Sequence, residues 1–279
     1  MKKRWKIFWL TCAVSGITGV VLLAAALSMG VTLQKVETMM PLGIKLWDFE
    51  EITSSDNEVD IFDKEAGNIY DDIHSMDIDL KAGEVEILTS YDDYVEIETE
   101  NISKKLKLNC YRDGNTLVVD STDNLNGVLN QNLGTVCIYL PEGLYLENVK
   151  INVGAGRLYI EDICTNDFSV DIGAGQAEIY SFHANEAVFN CGAGEIVAHG
   201  NVDKEIDIDC GLGNVSYYTE DREEDYNYKL NCGVGEISCG SNHYSGISSE
   251  QKIDHHHASK EMDIDCGLGN VEIIFEGGY

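Results

Sequence analysis

From residue 74 onward, apolar and polar residues alternate in short runs, and six of those runs end in Gly-x-Gly. Counting back from the first glycine of each copy, positions one, three and five are apolar with few exceptions. They are Ile172, Val170 and Phe168 in the second copy, and Cys210, Ile208 and Ile206 in the fourth. Positions four and six after that glycine are apolar again, as in Leu158 and Ile160, Ala177 and Ile179, Ile196 and Ala198. A period of two is the mark of a strand with one face turned inward. The pattern predicts two strands per copy, one on each side of the glycines, with a slip of one residue between them. Glycine tolerates the bend or bulge such a slip requires and lets stacked backbones approach closely.

The first glycines, Gly154, Gly173, Gly192, Gly211, Gly233 and Gly267, advance by 19, 19, 19, 22 and 34 residues. A fixed period near this length in β-type sequence marks a solenoid, in which each coil buries its face only against its neighbours. The expected fold is all-β, a β-solenoid of single-stranded, β-helix-like coils of about 19 residues. Residues 76–87 read as a divergent coil. The stretches 94–100, 106–111, 116–120 and 136–140 read as alternating strands of an N-terminal cap and first rungs. As a dinucleotide-binding fingerprint the Gly-x-Gly fails, because no helical pattern follows and the third glycine is missing.

Ile78-Asp79-Leu80 with Gly83-Glu84-Val85-Glu86-Ile87, then Val136-Cys137-Ile138-Tyr139-Leu140-Pro141, then the repeated corners form a recognisable set. Together they resemble the bacterial putative adhesin family, also called the toastrack domain, over about residues 74 to 279. The resemblance implies a β-solenoid-like ectodomain on a membrane anchor, often in proteins linked to envelope stress in Gram-positive bacteria. It brings no catalytic residues to carry over. Cysteine-rich coils and a late His-rich insertion depart from the family's commonest pattern.

The N-terminus changes the picture from a soluble solenoid to an anchored one. Lys2, Lys3, Arg4 and Lys6 precede an uncharged stretch from residue 7 to 34, long enough for a hydrocarbon core of ~30 Å. The positive-inside rule then puts residues 1–6 in the cytoplasm, a signal-anchor helix at 7–31, an acidic tether at 32–73 and the solenoid at 74–279 outside the cell membrane. A cleaved signal peptide is the rival reading, since Ala24-Ala25-Ala26-Leu27-Ser28 offers small residues to a peptidase. The apolar run exceeds the usual signal-peptide core of ~7–15 residues, which favours the anchor. Lipidation at Cys12 is rejected, because Trp9-Leu10-Thr11 is a poor lipoprotein site.

Charge narrows the partners. The chain carries 49 acids against 19 bases, a net −30; the first 36 residues hold five of the bases and no acid, leaving −35 on the rest. Such a field repels nucleic acid and anionic headgroups and makes divalent cations weak companions. Envelope or membrane proteins and surface ligands are the expected partners, with the membrane itself reached through the N-terminal helix.

Four features carry candidate chemistry. Cys191, Cys210, Cys232 and Cys266 occupy one inward position, where Val153 and Ile172 stand in earlier coils. Strands ~4.8 Å apart hold equivalent atoms beyond the ~3.5–4.5 Å that disulfide Cβ atoms need, so a ladder of buried thiols is favoured over disulfides. Cys110, Cys137 and Cys164 remain as candidates for pairing. The residue two before each first glycine reads Asn152, Asp171, Asn190, Asp209, Asn231, Asp265. That outward column alternates amide and acid, which relieves like-charge stacking, and a weak calcium column is its functional reading. Asp254-His255-His256-His257 and His243 fall in the long insertion from Ser241 to Ser259, read as a solvated loop before a metal site. Catalysis finds no support: Arg157 and the few lysines form no cluster beside the acids, and neither Gly-x-Ser-x-Gly nor His-Glu-x-x-His occurs.

The expected protein is a non-catalytic binding, scaffolding or sensing module at the bacterial cell envelope, with no cofactor. A calcium-dependent adhesion module and a glycan-acting β-helix enzyme are the alternatives. Because the sequence stops just after the sixth coil, that coil is expected to be the open end. The insertion is expected to project beside it and hinder edge-to-edge stacking.

Overall fold

The computed structural model of the chain describes residues 69–121, 133–245 and 249–277. The expected anchor at 7–31 and nearly all of the tether lie outside the described residues. Strands make up the regular structure there, apart from single turns of 3-10 helix at Lys104–Leu106 and Glu223–Asp225. The first strands are β1 (Ile69–Tyr70), β2 (Ser75–Leu80), β3 (Gly83–Ser90), β4 (Val95–Glu100), β5 (Asn109–Asp113), β6 (Thr116–Asp120) and β7 (Thr135–Pro141). Three long ones follow: β8 (Tyr145–Ile160), β9 (Ile163–Cys191) and β10 (Glu195–Cys210). The rest are β11 (Asn214–Thr219), β12 (Tyr226–Cys232), β13 (Glu236–Cys239), β14 (Asn242–Ser245), β15 (Ser249–Ile253), β16 (Lys260–Cys266) and β17 (Asn270–Phe275).

The strands build two ladders joined at the glycine corners. On the side entering the corners the order is β5, β6, β2, β8, two passes of β9 and β10, then β16, β12 and β15. On the leaving side it is β1, β4, β7, β3, β8, β9, β10, β11, β17, β13 and β14. Pairing is parallel throughout the stack. It turns antiparallel only at the ends, where β5 and β4 cover one edge and β15 and β14 the other. Antiparallel caps carry the chain back over an edge that would otherwise present unpaired donors and acceptors.

Two rungs are out of chain order. At the N-terminal end the coil made by β2 and β3 lies between the later β6–β7 rung and β8. At the other end the sixth coil, β16–β17, lies between the fourth coil and the fifth, β12–β13. This corrects two expectations. The sixth coil is internal, not the open end. The insertion, expected to project from the fifth coil beside that end, does not stand clear of the stack; its strands β14 and β15 pair antiparallel with the fifth coil, the last parallel rung, and cover its edge.

The alternation places the core where the sequence predicts it. Ile172, Val170, Phe168, Ile208 and the later-strand residues Leu158, Ile160, Ile179 and Ile196 are buried between the ladders. Phe168, Phe182 and Phe189 form a triangle of rings 5.5–5.8 Å apart, and Tyr217 joins it at 5.8 Å from Phe182. Each such side chain contributes roughly 1.5–3 kcal/mol through removal of its surface from water. A polar clamp holds the sixth coil in place. Lys260 at its start meets Asp221 at 2.7 Å, and the Tyr226 hydroxyl donates to the same carboxylate at 2.6 Å. Glu223 on the same turn accepts from the backbone and hydroxyl of Ser241 at 3.1 Å, fastening the β13–β14 hairpin.

Candidate functional site: the glycine corner

Backbone contact explains the glycines at the corner. A Cβ built on Gly173 would stand 2.5 Å from the carbonyl oxygen of Gly154, and one on Gly192 would stand 2.6 Å from that of Gly173. Real side chains do not approach a carbonyl so closely, so the stack shuts at this edge only with glycine. The N–H groups here serve the ladder: Gly192 donates to Ile172 at 2.8 Å and Gly211 to Cys191 at 2.8 Å.

Cysteine enters where the corner changes shape. In the first two coils Val153 and Ile172 precede a corner that stays within a continuous strand. From the third coil on the residue is cysteine and the strand breaks at the glycines. A Cβ on Gly213 would lie 2.6 Å from the Cys191 sulfur, one on Gly269 2.6 Å from Cys210, and one on Gly235 2.8 Å from Cys266. Each thiol thus occupies space that the second glycine of the adjoining rung leaves open, which a branched apolar side chain would overfill. Register stacks Cys191 on Cys210, Cys210 on Cys266, and Cys266 on Cys232. All four are buried, as the inward position predicts, and among the described residues no disulfide joins them to one another or to Cys110, Cys137, Cys164 or Cys239. Hydrogen bonding with the Cys210 thiol holds Cys191 down at about 7 against burial, while the same contact and burial push Cys210 up.

The Asn/Asp column lies on the outside, beside the first glycines. Asn152, Asp171, Asn190, Asp209, Asp265 and Asn231, in spatial order, line an open groove of about 900 Å³ that ends at Glu250. Asn152 donates to Asp79 of the preceding rung at 3.0 Å. The alternation of amide and acid read along the sequence fails in space, because intercalation sets Asp209 directly against Asp265. The same pairing joins Glu205 to Glu261 and Asp207 to Asp263. Burial and then the facing acids push the carboxyls of Asp207 and Asp209 up, and burial with Asp207 and Glu261 pushes Glu205 up. Lys229 on the next rung pairs with Asp263 through Oδ2, and the buried Oδ1 of Asp263 has no partner. Among the described residues no three His, Cys, Asp or Glu side chains converge as a metal site.

Next to this groove, the residue between the glycines is exposed in every coil but the first, where Ala155 is half-buried against the core. It is alanine in the first three coils and Leu212, Val234 and Leu268 afterwards, exposed by 64, 60 and 58%. The sequence shows the change in size; the exposure becomes visible only in the structure. The insertion's histidines lie elsewhere. His255 is held by its Nδ1 at 2.8 Å from the Tyr226 carbonyl oxygen and by its N–H donating to Asn227 Oδ1 at 2.9 Å, while His256 and His257 face water.

The family described as Toastrack DUF4097 matches residues 73–238, a span that closes before the β14–β15 hairpins and the sixth coil. Among solved structures, a putative cell adhesion protein from Clostridium sporogenes ATCC 15579 is 15% identical, with 73% of this chain and 92% of that one covered, at a TM-score of 0.44. A putative adhesin from Bacteroides fragilis NCTC 9343 is 14% identical, covering 74% and 94%, at 0.33. One from Parabacteroides merdae ATCC 43184 is 12% identical, covering 75% and 97%, at 0.22. No curated protein matches the chain.

Proposed function

This chain belongs to the Toastrack DUF4097 family, and from that premise we propose that it is a membrane-anchored, non-catalytic binding module of the bacterial cell envelope. The glycine corner is its working surface. The observation that carries the reading is the groove of about 900 Å³ along the Asn/Asp column, which presents the same type of side chain from rung after rung. A repeated, open, acidic surface is suited to laying a ligand along it, and solenoids use such extended faces for binding. Support for the anchor comes from the basic flank and uncharged stretch of residues 2–34. Support for a non-catalytic role comes from two of the bases near the groove. Lys81 is held by Asp79 at 2.7 Å and Lys229 is taken by Asp263, so neither stands ready as an acid or electrophile beside a carboxylate. Scaffolding or sensing of envelope stress is the context the family resemblance suggests.

The test is cross-linking and co-purification of the full-length chain from its own membrane, beside a variant carrying Asp171→Lys and Asp209→Lys. Both positions are outward, so the variant is expected to fold and to lose the partners that the parent retains. An unchanged partner set would remove the groove from the account. Degradation of envelope glycan by the purified protein would overturn the non-catalytic assignment.

A further inference from the structure

We propose that Leu212, Leu268 and Val234 form a docking ridge for a basic amphipathic helix of a partner protein. The inference rests on the corner being a binding surface and names what binds there.

The core does not require these three side chains. Ala155, Ala174 and Ala193 fill the same position in the first three coils, and the larger residues are well over half exposed. They are neighbours only because of the intercalated coil. Leu212 donates its N–H to Gly192, Leu268 to Gly211 and Val234 to Gly267, each at 2.8 Å, which sets the order Leu212, Leu268, Val234 along the stack. In the chain they are separated by 22 and 34 residues. Contiguous exposed apolar side chains with a polar rim mark interaction sites. On the flank away from the acidic groove, the ridge borders an open cleft of about 490 Å³ with Asn214, Asn270 and Glu236, which supply its polar rim.

Charge selects the occupant. Asp209 and Asp265 lie three residues before Leu212 and Leu268, and behind them stand the facing pairs Asp207–Asp263 and Glu205–Glu261. A second copy of this chain, or its own acidic tether, would bring more negative charge to that wall; the chain beyond residue 36 carries −35. A bare cation would relieve the acids and leave the leucines wet. A segment with aliphatic and Lys or Arg side chains answers both. Its geometry follows from spacing. Rungs recur every ~4.8 Å. Side chains on one face of a helix recur every ~5–6 Å, against nearly 7 Å for alternate residues of a strand. A helix laid along the stack therefore sets one apolar residue per rung, with its basic flank over the acids.

The probe is a labelled Leu/Lys peptide patterned at helical period, titrated against the full-length chain in nanodiscs of neutral lipid, with empty discs as baseline. Two controls accompany it, the same residues scrambled and a patterned Leu/Glu peptide. The parent should bind the patterned basic peptide best. Leu212→Ser, Val234→Ser and Leu268→Ser together should weaken it roughly ten-fold or more, and Asp209→Asn with Asp265→Asn should flatten its salt dependence. Circular dichroism melts verify that both variants are folded. Equal binding by the serine variant, by the scrambled peptide or by the Leu/Glu peptide would each overturn the inference. If the peptide ignores the ridge while the lysine groove variant still loses its membrane partners, the basic-helix assignment falls and the binding-module reading stands.

Discussion

At the corner, the presence or absence of a single carbon decides whether neighbouring rungs can close. Gly173 has no room for a Cβ, since the Gly154 carbonyl oxygen would lie 2.5 Å away, whereas Ala193, at the centre of its own corner, is exposed. The two positions respond to enlargement in opposite ways. Gly173→Ala must push two parallel strands apart across the middle of the stack and is expected to cost about 2 kcal/mol or more, in the range of overpacked sites. Ala193→Leu copies what Leu212 already does one rung away and should change stability by less than about 0.5 kcal/mol. Denaturant unfolding of both variants measures this directly. Equal midpoints would mean that the stacked-corner geometry is wrong.

Among the elements, β10 and β16 are the pair whose contact is least favourable electrostatically. Three acids on each strand face three on the other; Glu186 on the adjoining pass of β9 and Lys229 on β12 are the charged side chains that flank them, and Asp171 stands one pass further off. The inward residues hold the pair together: Ile206 against Met262, Ile208 against Ile264, and Cys210 against Cys266, all buried. The raised carboxyls of Glu205, Asp207 and Asp209 have a definite consequence for pH. A carboxyl raised in the folded state binds protons there before it does in the unfolded chain. Its penalty is absent below the ordinary carboxylate pKa of about 4 and appears as pH climbs through the raised value. Asp209→Asn removes one such penalty. It should raise the melting temperature at pH 7 by about 1–2 °C, for a like-charge pair costing a few tenths of a kcal/mol. The gain over the parent should shrink as the pH is lowered toward 4. A gain that grows on acidification would show that Asp209 is stabilised by its surroundings instead.

At the scale of the whole molecule, the coils and their inward faces were readable in advance, and their neighbours were not. Ile172 and Ile208 announce burial by alternation, and the glycine period announces stacking. Every coil carries the same inward pattern, so Ile264 matches Leu230 and Ile208 equally well and nothing in the pattern says which lies beside which. The 34-residue step between the last two first glycines was the one visible sign, since a chain needs that length to form β14 and β15 and still return beneath them. The same ambiguity hid the ridge and the facing acids, which exist only in the spatial order of fourth, sixth, fifth coil. That order is the claim on which the corner surface depends. The most direct measurement places a short diazirine side chain at Ser216 on β11 of the full-length chain, then identifies the photo-cross-linked peptide by mass spectrometry. Ser216 pairs with Glu272 of the sixth coil, while Ser238 of the fifth lies one strand further on. Capture of the peptide holding Glu272 is the predicted result; capture of the Ser238 peptide in its place would contradict the intercalated order and dissolve the ridge with it.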